Sequence, residues 1–237
     1  MTVDEMARRI RTLEAAARRL EPGPEERRRW RDAVLAYAEH FLERLPELRA
    51  YDGDSDRARR IRETPFTDGP AEWEEILATL AECVDGTGIN PASGGHLGYI
   101  PGGGLPISAW ADFLADVTNR YAGVRFAGPG AVELEQACLD WMAELVGYPR
   151  DAGGNLTSGG SISNLIAIVT ARDARGIRAV DVPRAAVYLT AQAHHSIEKA
   201  LRIAGLGECV VRRVPMDDRY RMRPEALEAM VREDRAA

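Results

Sequence analysis

The segment Thr157-Ser158-Gly159-Gly160-Ser161-Ile162-Ser163-Asn164 constrains the fold of this chain more than any other. Small residues and hydroxyls stand directly before an apolar run, Leu165, Ile166, Ile168 and Val169, whose spacing predicts a helix. A glycine-rich turn into a helix aims backbone N–H groups at whatever lies in front of it. The positive end of the helix then favours an anion such as phosphate. The Gly-Lys-[Ser/Thr] ending of a nucleoside-triphosphate loop is missing, which excludes that class. From Gly154 onward strand and helix alternate. The turn and its helix run to about residue 175, a strand to 185–190, a helix to 196–204 and a strand to 209–214. A last helix opens on Pro224, at a permitted first-turn position, and carries Leu227, Met230 and Val231. Such alternation predicts parallel strands in an α/β layer. Two or three strands are visible, which would leave open sheet edges.

About thirty residues after the turn comes Ala191-Gln192-Ala193-His194-His195-Ser196-Ile197-Glu198-Lys199-Ala200, a strand-to-helix junction with two histidines. A phosphate cradle followed by a histidine at the next strand end points to pyridoxal phosphate. Chemistry on that cofactor needs a lysine amine to hold it as a Schiff base. Of the 31 basic residues only Lys199 is a lysine, although an arginine bias of this kind also follows from a GC-rich genome.

The first half reads differently. Residues 3–20 form an amphipathic helix with Met6, Ile10, Leu13 and Leu20 on one stripe, broken by Pro22-Gly23-Pro24. A second helix over 25–44 repeats the period with Trp30, Val34, Tyr37, Phe41 and Leu45. With no neighbouring strand to pack on, the pair is expected to clasp another domain or subunit. Residues 51–68, polar and punctuated by proline, read as a linker, and 71–84 as a short helix with Trp73, Ile76, Leu77 and Leu80 inward. The glycine-rich stretch 94–104 holds His96, Tyr99, Ile100 and Pro101. It suits either close approach to a ligand or an ordinary surface loop. Helices follow at 107–120 and 131–146, the second with Leu134, Cys138, Trp141, Leu145 and Val146 as its stripe and Gly147 and Pro149 at its end.

Bulk properties exclude several classes. The 237 residues can bury a core as one large domain or two small ones. A net charge of -6 gives no basic footprint for nucleic acid, and no apolar run approaches the roughly 20 residues of a membrane helix. The charged N-terminus is unlike a secretory signal. Cys83, Cys138 and Cys209 form an odd, scattered set without metal spacing, which suits a reducing cytoplasm. The adjacent His194 and His195 do not suggest metal, since neighbouring side chains are expected to diverge and no third ligand is close in sequence.

In order and spacing, these segments resemble the pyridoxal-phosphate-dependent group II amino-acid decarboxylases, the aromatic-amino-acid and glutamate decarboxylase family. The N-terminal helix pair, His96-Leu97-Gly98-Tyr99-Ile100-Pro101, Glu133-Leu134-Glu135 through Trp141, Thr157 to Asn164 and Gln192 to Ala200 carry the likeness, over about residues 25–231. The resemblance implies an α/β fold, the aspartate-aminotransferase-like large domain of fold type I, preceded by a helical segment. Residues 1–90 would then be the dimer clasp and linker, and 91–237 the first part of the cofactor-binding domain of a homodimer. Gly160 and Ser161 match positions that hold the cofactor phosphate; for Ser161 the alternative is a plain helix cap. Asn164 would support that loop or stand as an exposed polar residue. His194 matches the histidine that stacks on the pyridine ring and is the expected catalytic residue, while His195 reads as structural. Tyr99, Ile100 and Pro101 match the wall of the substrate pocket, with Asn119, Arg120 and Tyr121 as further candidates. Glu133 and Glu135 read as solvated charges.

In such enzymes an aspartate that pairs with the pyridine nitrogen and a histidine–lysine pair come later in the chain than this sequence extends. Lys199 matches a position with no catalytic role. The sequence therefore reads as the N-terminal portion of an amino-acid decarboxylase, inactive alone. The alternatives are a split-enzyme subunit, a non-catalytic binding or dimerisation module, or a carbon–carbon lyase of the same fold.

Overall fold

The computed structural model describes residues 1–18, 21–65, 69–149 and 151–236. Leu20, expected on the first apolar stripe, and residues 66–68 of the expected linker lie outside the described residues. The chain divides into two compact units, Met1–Asn119 and Arg120–Ala237.

In the first unit, α1 (Val3–Ala17) opens with a capping box: the Glu5 amide donates to Thr2 Oγ1, and the Thr2 amide donates back to the Glu5 carboxylate. Pro24 starts α2 (Pro24–Glu43), where its missing N–H costs nothing. Trp30 and Trp73 of α4 (Trp73–Thr79) meet edge to face at a centroid distance of 6.1 Å, an arrangement favoured by the ring quadrupoles. A wider π-type turn over Leu80–Asp85 continues α4, and the Tyr37 hydroxyl donates to Asp85 at its end. Burial and that carboxylate push the Tyr37 phenol well above its usual range. Trp73 and Leu77 are half-buried as expected, but Ile76 and Leu80 stay exposed.

Residues 51–68 are more than a linker. They contain β1 (Tyr51–Asp52), which pairs antiparallel with β2 (Gly88–Ile89), and the helix α3 (Ser55–Glu63). Asp54 caps α3 by accepting from the Arg57 amide at 3.0 Å. Arg57 then pairs with Asp52 at 2.9 Å and donates to the Gly86 carbonyl at 2.9 Å, while Arg60 pairs with Glu82. The helix is held by a cap and ions, with Ile61 its one large apolar residue, so hydrophobic periodicity could not announce it. The unit ends with α5 (Pro106–Thr118), closed by Asn119 in the left-handed region at φ 41°.

The second unit begins with α6 (Pro129–Leu145). Then α7 (Gly160–Ala174), β3 (Ala186–Leu189), α8 (Ser196–Ile203), β4 (Val210–Arg213) and α9 (Pro224–Ala236) follow in the alternation read from the sequence. β3 and β4 are parallel, Ala186 opposite Val210 and Leu189 opposite Arg213, and they form a two-stranded sheet among the described residues. The core lies between α7, α8 and β3: Val182, Leu201, Ala204 and Leu206 are buried, with Leu165, Ile168, Val169 and Val187 packed on them. Arg172 of α7 donates to the Ala204 carbonyl at 2.6 Å, fixing the far ends of α7 and α8 together. Tyr188 donates to Asp234 at 2.7 Å and Arg212 pairs with the same carboxylate at 3.3 Å, pinning α9 to the sheet.

The apolar stripes of α5 and α6 form helices on schedule yet remain uncovered. Trp110, Phe113, Leu114 and Val117 on α5, and Leu134, Trp141 and Leu145 on α6 with Val146 just past its end, are all exposed.

Candidate cofactor and active site

The turn before α7 is shaped by one glycine. Gly159 sits at φ 153°, ψ 166°, a region essentially closed to residues with a Cβ. Its position lets the chain turn sharply, so that Gly160 is the first helical residue. The hydroxyls of Thr157 and Ser163 lie 2.6 Å apart, and both reach the Gly159 carbonyl, at 3.1 and 3.3 Å. These bonds brace the turn from behind. In front, no side chain caps α7, and a Cβ built on Gly159 or Gly160 would meet nothing within 4 Å. Ser161 is therefore not the cap that one sequence reading allowed. It stands in the first turn, exposed, where its amide and that of Gly160 have no carbonyl a turn earlier to bond. Open space, free first-turn amides and the helix dipole together make a seat for an anion.

The imidazole of His194 is tied to the same helix. Ser196, 3% exposed, lies at the first turn of α8, and its Oγ is 2.8 Å from His194 Nδ1. Asn164, one turn into α7, donates from Nδ2 to Ser196 Oγ at 2.9 Å. The Ser196 amide also donates to His194 Nδ1, at 3.2 Å. Asn164 and His194, picked out separately in the sequence, thus meet on one serine that the sequence reading passed over. The signal for it was faint: a hydroxyl two residues after a histidine at a helix start. His194 and His195 do not diverge as expected. Their rings lie 4.1 Å apart, tilted by 35°. Among the described residues no group of three metal-binding side chains forms.

The remaining candidates belong to other elements. Tyr99, in the first unit, has φ 65° and is exposed; Ile100 is fully exposed and Pro101 is exposed beside it. Their stretch is anchored just upstream, where Ser93 Oγ donates to the Leu48 carbonyl at 2.7 Å and accepts from the Gly95 amide at 3.2 Å. Asn119 caps α5, Arg120 opens the second unit, and Tyr121 follows it, its carbonyl so near Gly128 that a Cβ there would sit 2.1 Å away. Glu133 is exposed and pairs with Arg125; Glu135 is half-buried. Lys199 lies on α8, exposed, past the histidines.

Known proteins resemble this chain in sequence and in fold. Residues 57–237 match the family model described as the pyridoxal-dependent decarboxylase conserved domain. The chain is 29% identical to an aromatic-L-amino-acid decarboxylase of Bacillus atrophaeus over 204 residues, covering 86% of this chain and 42% of that protein. It is 30% identical over 190 residues to histidine decarboxylase of Mus musculus, covering 70% and 28%. Among solved structures it superposes on Catharanthus roseus tryptophan decarboxylase in complex with L-tryptophan with a TM-score of 0.81 at 18% identity, covering 91% of this chain and 48% of that one. Oryza sativa TDC with PLP and tryptamine gives 0.79 at 22% identity, covering 90% and 47%. The chain thus spans less than half the length of these relatives.

Proposed function

Since the chain belongs to the pyridoxal-dependent decarboxylase family, we propose that it forms the cofactor-cradling part of an enzyme that removes the carboxylate of an L-amino acid as carbon dioxide and leaves the amine. Its fold is that of the fold type I enzymes, and the family's cofactor is pyridoxal 5'-phosphate.

One observation carries the reading: the uncapped start of α7, open in front of Gly159 and Gly160, is hydrogen-bonded through Asn164 and Ser196 to the His194 ring. The amides of Gly160 and Ser161 and the Ser161 hydroxyl would hold the phosphate, each through a charge-assisted bond of about 1.5–3 kcal/mol. His194 would lie flat on the heterocycle and orient it. When bound, the cofactor supplies an electron sink for the electrons left behind as carbon dioxide departs. The chain's own contribution is orientation and electrostatics. Tyr99, Ile100 and Pro101 would line the side-chain end of the substrate.

The same reading makes residues 1–90 a clasp and 91–237 the beginning of the cofactor-binding domain of a homodimer. The exposed apolar stripe on α5, at roughly 1.5–3 kcal/mol for each large side chain once covered, supports an association. Three unpaired cysteines support a cytoplasmic setting, and no described helix is long and apolar enough to cross a membrane. On the same reading Lys199, on α8 past the histidines, is not the cofactor's amine, and the 237-residue chain alone would not turn over substrate.

The test is a titration of this chain with pyridoxal 5'-phosphate and, separately, with pyridoxal. Binding that needs the phosphate, falls on His194→Ala and survives His195→Ala is the expected result, with no stoichiometric borohydride label at Lys199. Equal binding of the two compounds, or equal losses in the two variants, would refute it.

A further inference from the structure

The three bonds around Ser196 have a direction that can be worked out. A backbone N–H can only donate, so the Ser196 amide, 3.2 Å from His194 Nδ1, requires that nitrogen to be an acceptor. Ser196 Oγ has one hydrogen. Because it accepts from Asn164 Nδ2 at 2.9 Å, that hydrogen is free to go to Nδ1, 2.8 Å away. Nδ1 then accepts two bonds, and a proton placed there would face a backbone donor head-on.

We propose that Asn164 and Ser196 are a positioning pair that holds His194 as the neutral imidazole with its proton on Nε2 and fixes the plane of the ring. This deepens the cofactor reading above and rests on it: a ring meant to lie on a heterocycle needs one orientation and one electronic form. Neither residue needs to touch the cofactor to do this. Ser196 suits the task because it is almost fully buried, so water does not compete for its hydroxyl, and because α7 and α8 pack against each other through the core of the unit. Asn164 suits it because its amide supplies a donor. An acid at the same place would take the serine hydrogen for itself and reverse the relay.

The tautomer is readable without cofactor or turnover. Long-range proton–nitrogen spectra of the 15N-histidine-labelled chain distinguish the ring nitrogen that carries hydrogen from the one that does not. His194→Gln identifies its signals among those of the four histidines. The expected result is hydrogen on Nε2 alone in the parent. Ser196→Ala should shift the tautomer ratio toward Nδ1–H by roughly fivefold, what one neutral hydrogen bond is worth, and Ser196→Thr should restore it. If Ser196→Ala does not fold, Asn164→Asp, similar in shape, carries the test and should move hydrogen toward Nδ1. Hydrogen on Nδ1 in the parent, or an unchanged ratio in whichever of these two variants folds, would overturn the proposal. Failure of the parent to bind pyridoxal 5'-phosphate would instead sink the cofactor reading and leave the tautomer result standing, so the two failures are told apart.

Discussion

Replacing Gly159 by alanine isolates the contribution of the turn. A Cβ at this position meets nothing within 4 Å, so the methyl clashes with no neighbour and the whole penalty is conformational. At φ 153° and ψ 166° that penalty is about 1–3 kcal/mol. Alanine relieves that strain by moving residue 159 out of this region, which frays the first turn of α7. The arrangement that seats an anion then becomes less populated by the same penalty. At 1.4 kcal/mol per decade, the affinity for pyridoxal 5'-phosphate should fall roughly 5- to 150-fold. Gly160→Ala is the control for the fold: Gly160 is already helical and its Cβ would also enter open space, so that variant adds no backbone strain. The assay is an absorbance titration with the cofactor, alongside urea melts of both variants. A Gly159→Ala chain that is folded and binds like the parent would refute the assignment of the cradle to this turn.

Two further outcomes follow from the packing and the charges. Leu201, 3% exposed in the core of the second unit, should cost about 2–5 kcal/mol when cut to alanine, whereas Ile203→Ala, exposed on the same helix, should stay within about 0.5 kcal/mol; urea melts that show equal losses would contradict the core described above. Asp217 accepts from the Arg219 and Arg221 amides, both at 2.9 Å, and from Arg221 Nε at 2.8 Å, and the bonds from Arg221 above all hold its carboxyl below the usual range. A lowered folded value stabilises the fold above the unfolded carboxylate range, near 4, and that contribution is lost as pH falls through the folded value. The stability gap between the parent and Asp217→Asn should therefore be widest near neutral pH and shrink below about pH 4; a gap independent of pH would rule this out.

The alternating half of the chain was legible because its signals are local. Apolar spacing in 165–169 and the strand at 186–189 announce themselves within a dozen residues, and parallel pairing follows from the alternation. The turn at 157–164 was legible as a helix start for the same reason, since glycine and hydroxyls gather where a helix begins. Helix α3 was not legible. Its sequence, Ser55 to Glu63, carries one large apolar residue, and what holds it are Asp52, Glu82 and the Gly86 carbonyl, supplied from outside the helix. Periodicity measures burial, and α3 is held by charge. The stripes of α5 and α6 show the opposite case: the pattern correctly gave helices but said nothing of what their faces meet.

Ser196 shows where such reading stops even inside a recognised motif. In sequence it is one hydroxyl beside two histidines, and histidines draw the chemical interest. Its significance comes from Asn164, 32 residues earlier, and that pairing exists only because Leu201 and Ala204 on one helix and Leu165 and Ile168 on another bury each other. The apolar contacts set the distance between α7 and α8, and the distance turns a solvent-competent hydroxyl into a buried relay. Mutations in that small core should therefore reach the imidazole without touching it. A cavity at Leu201 that lets α8 shift would lengthen the Asn164–Ser196 bond before it unfolds the unit, since a close-packed interior transmits strain and a hydrogen bond weakens steeply with misalignment. The order of events on weakening the core is thus loss of one fixed ring orientation first and loss of the fold second.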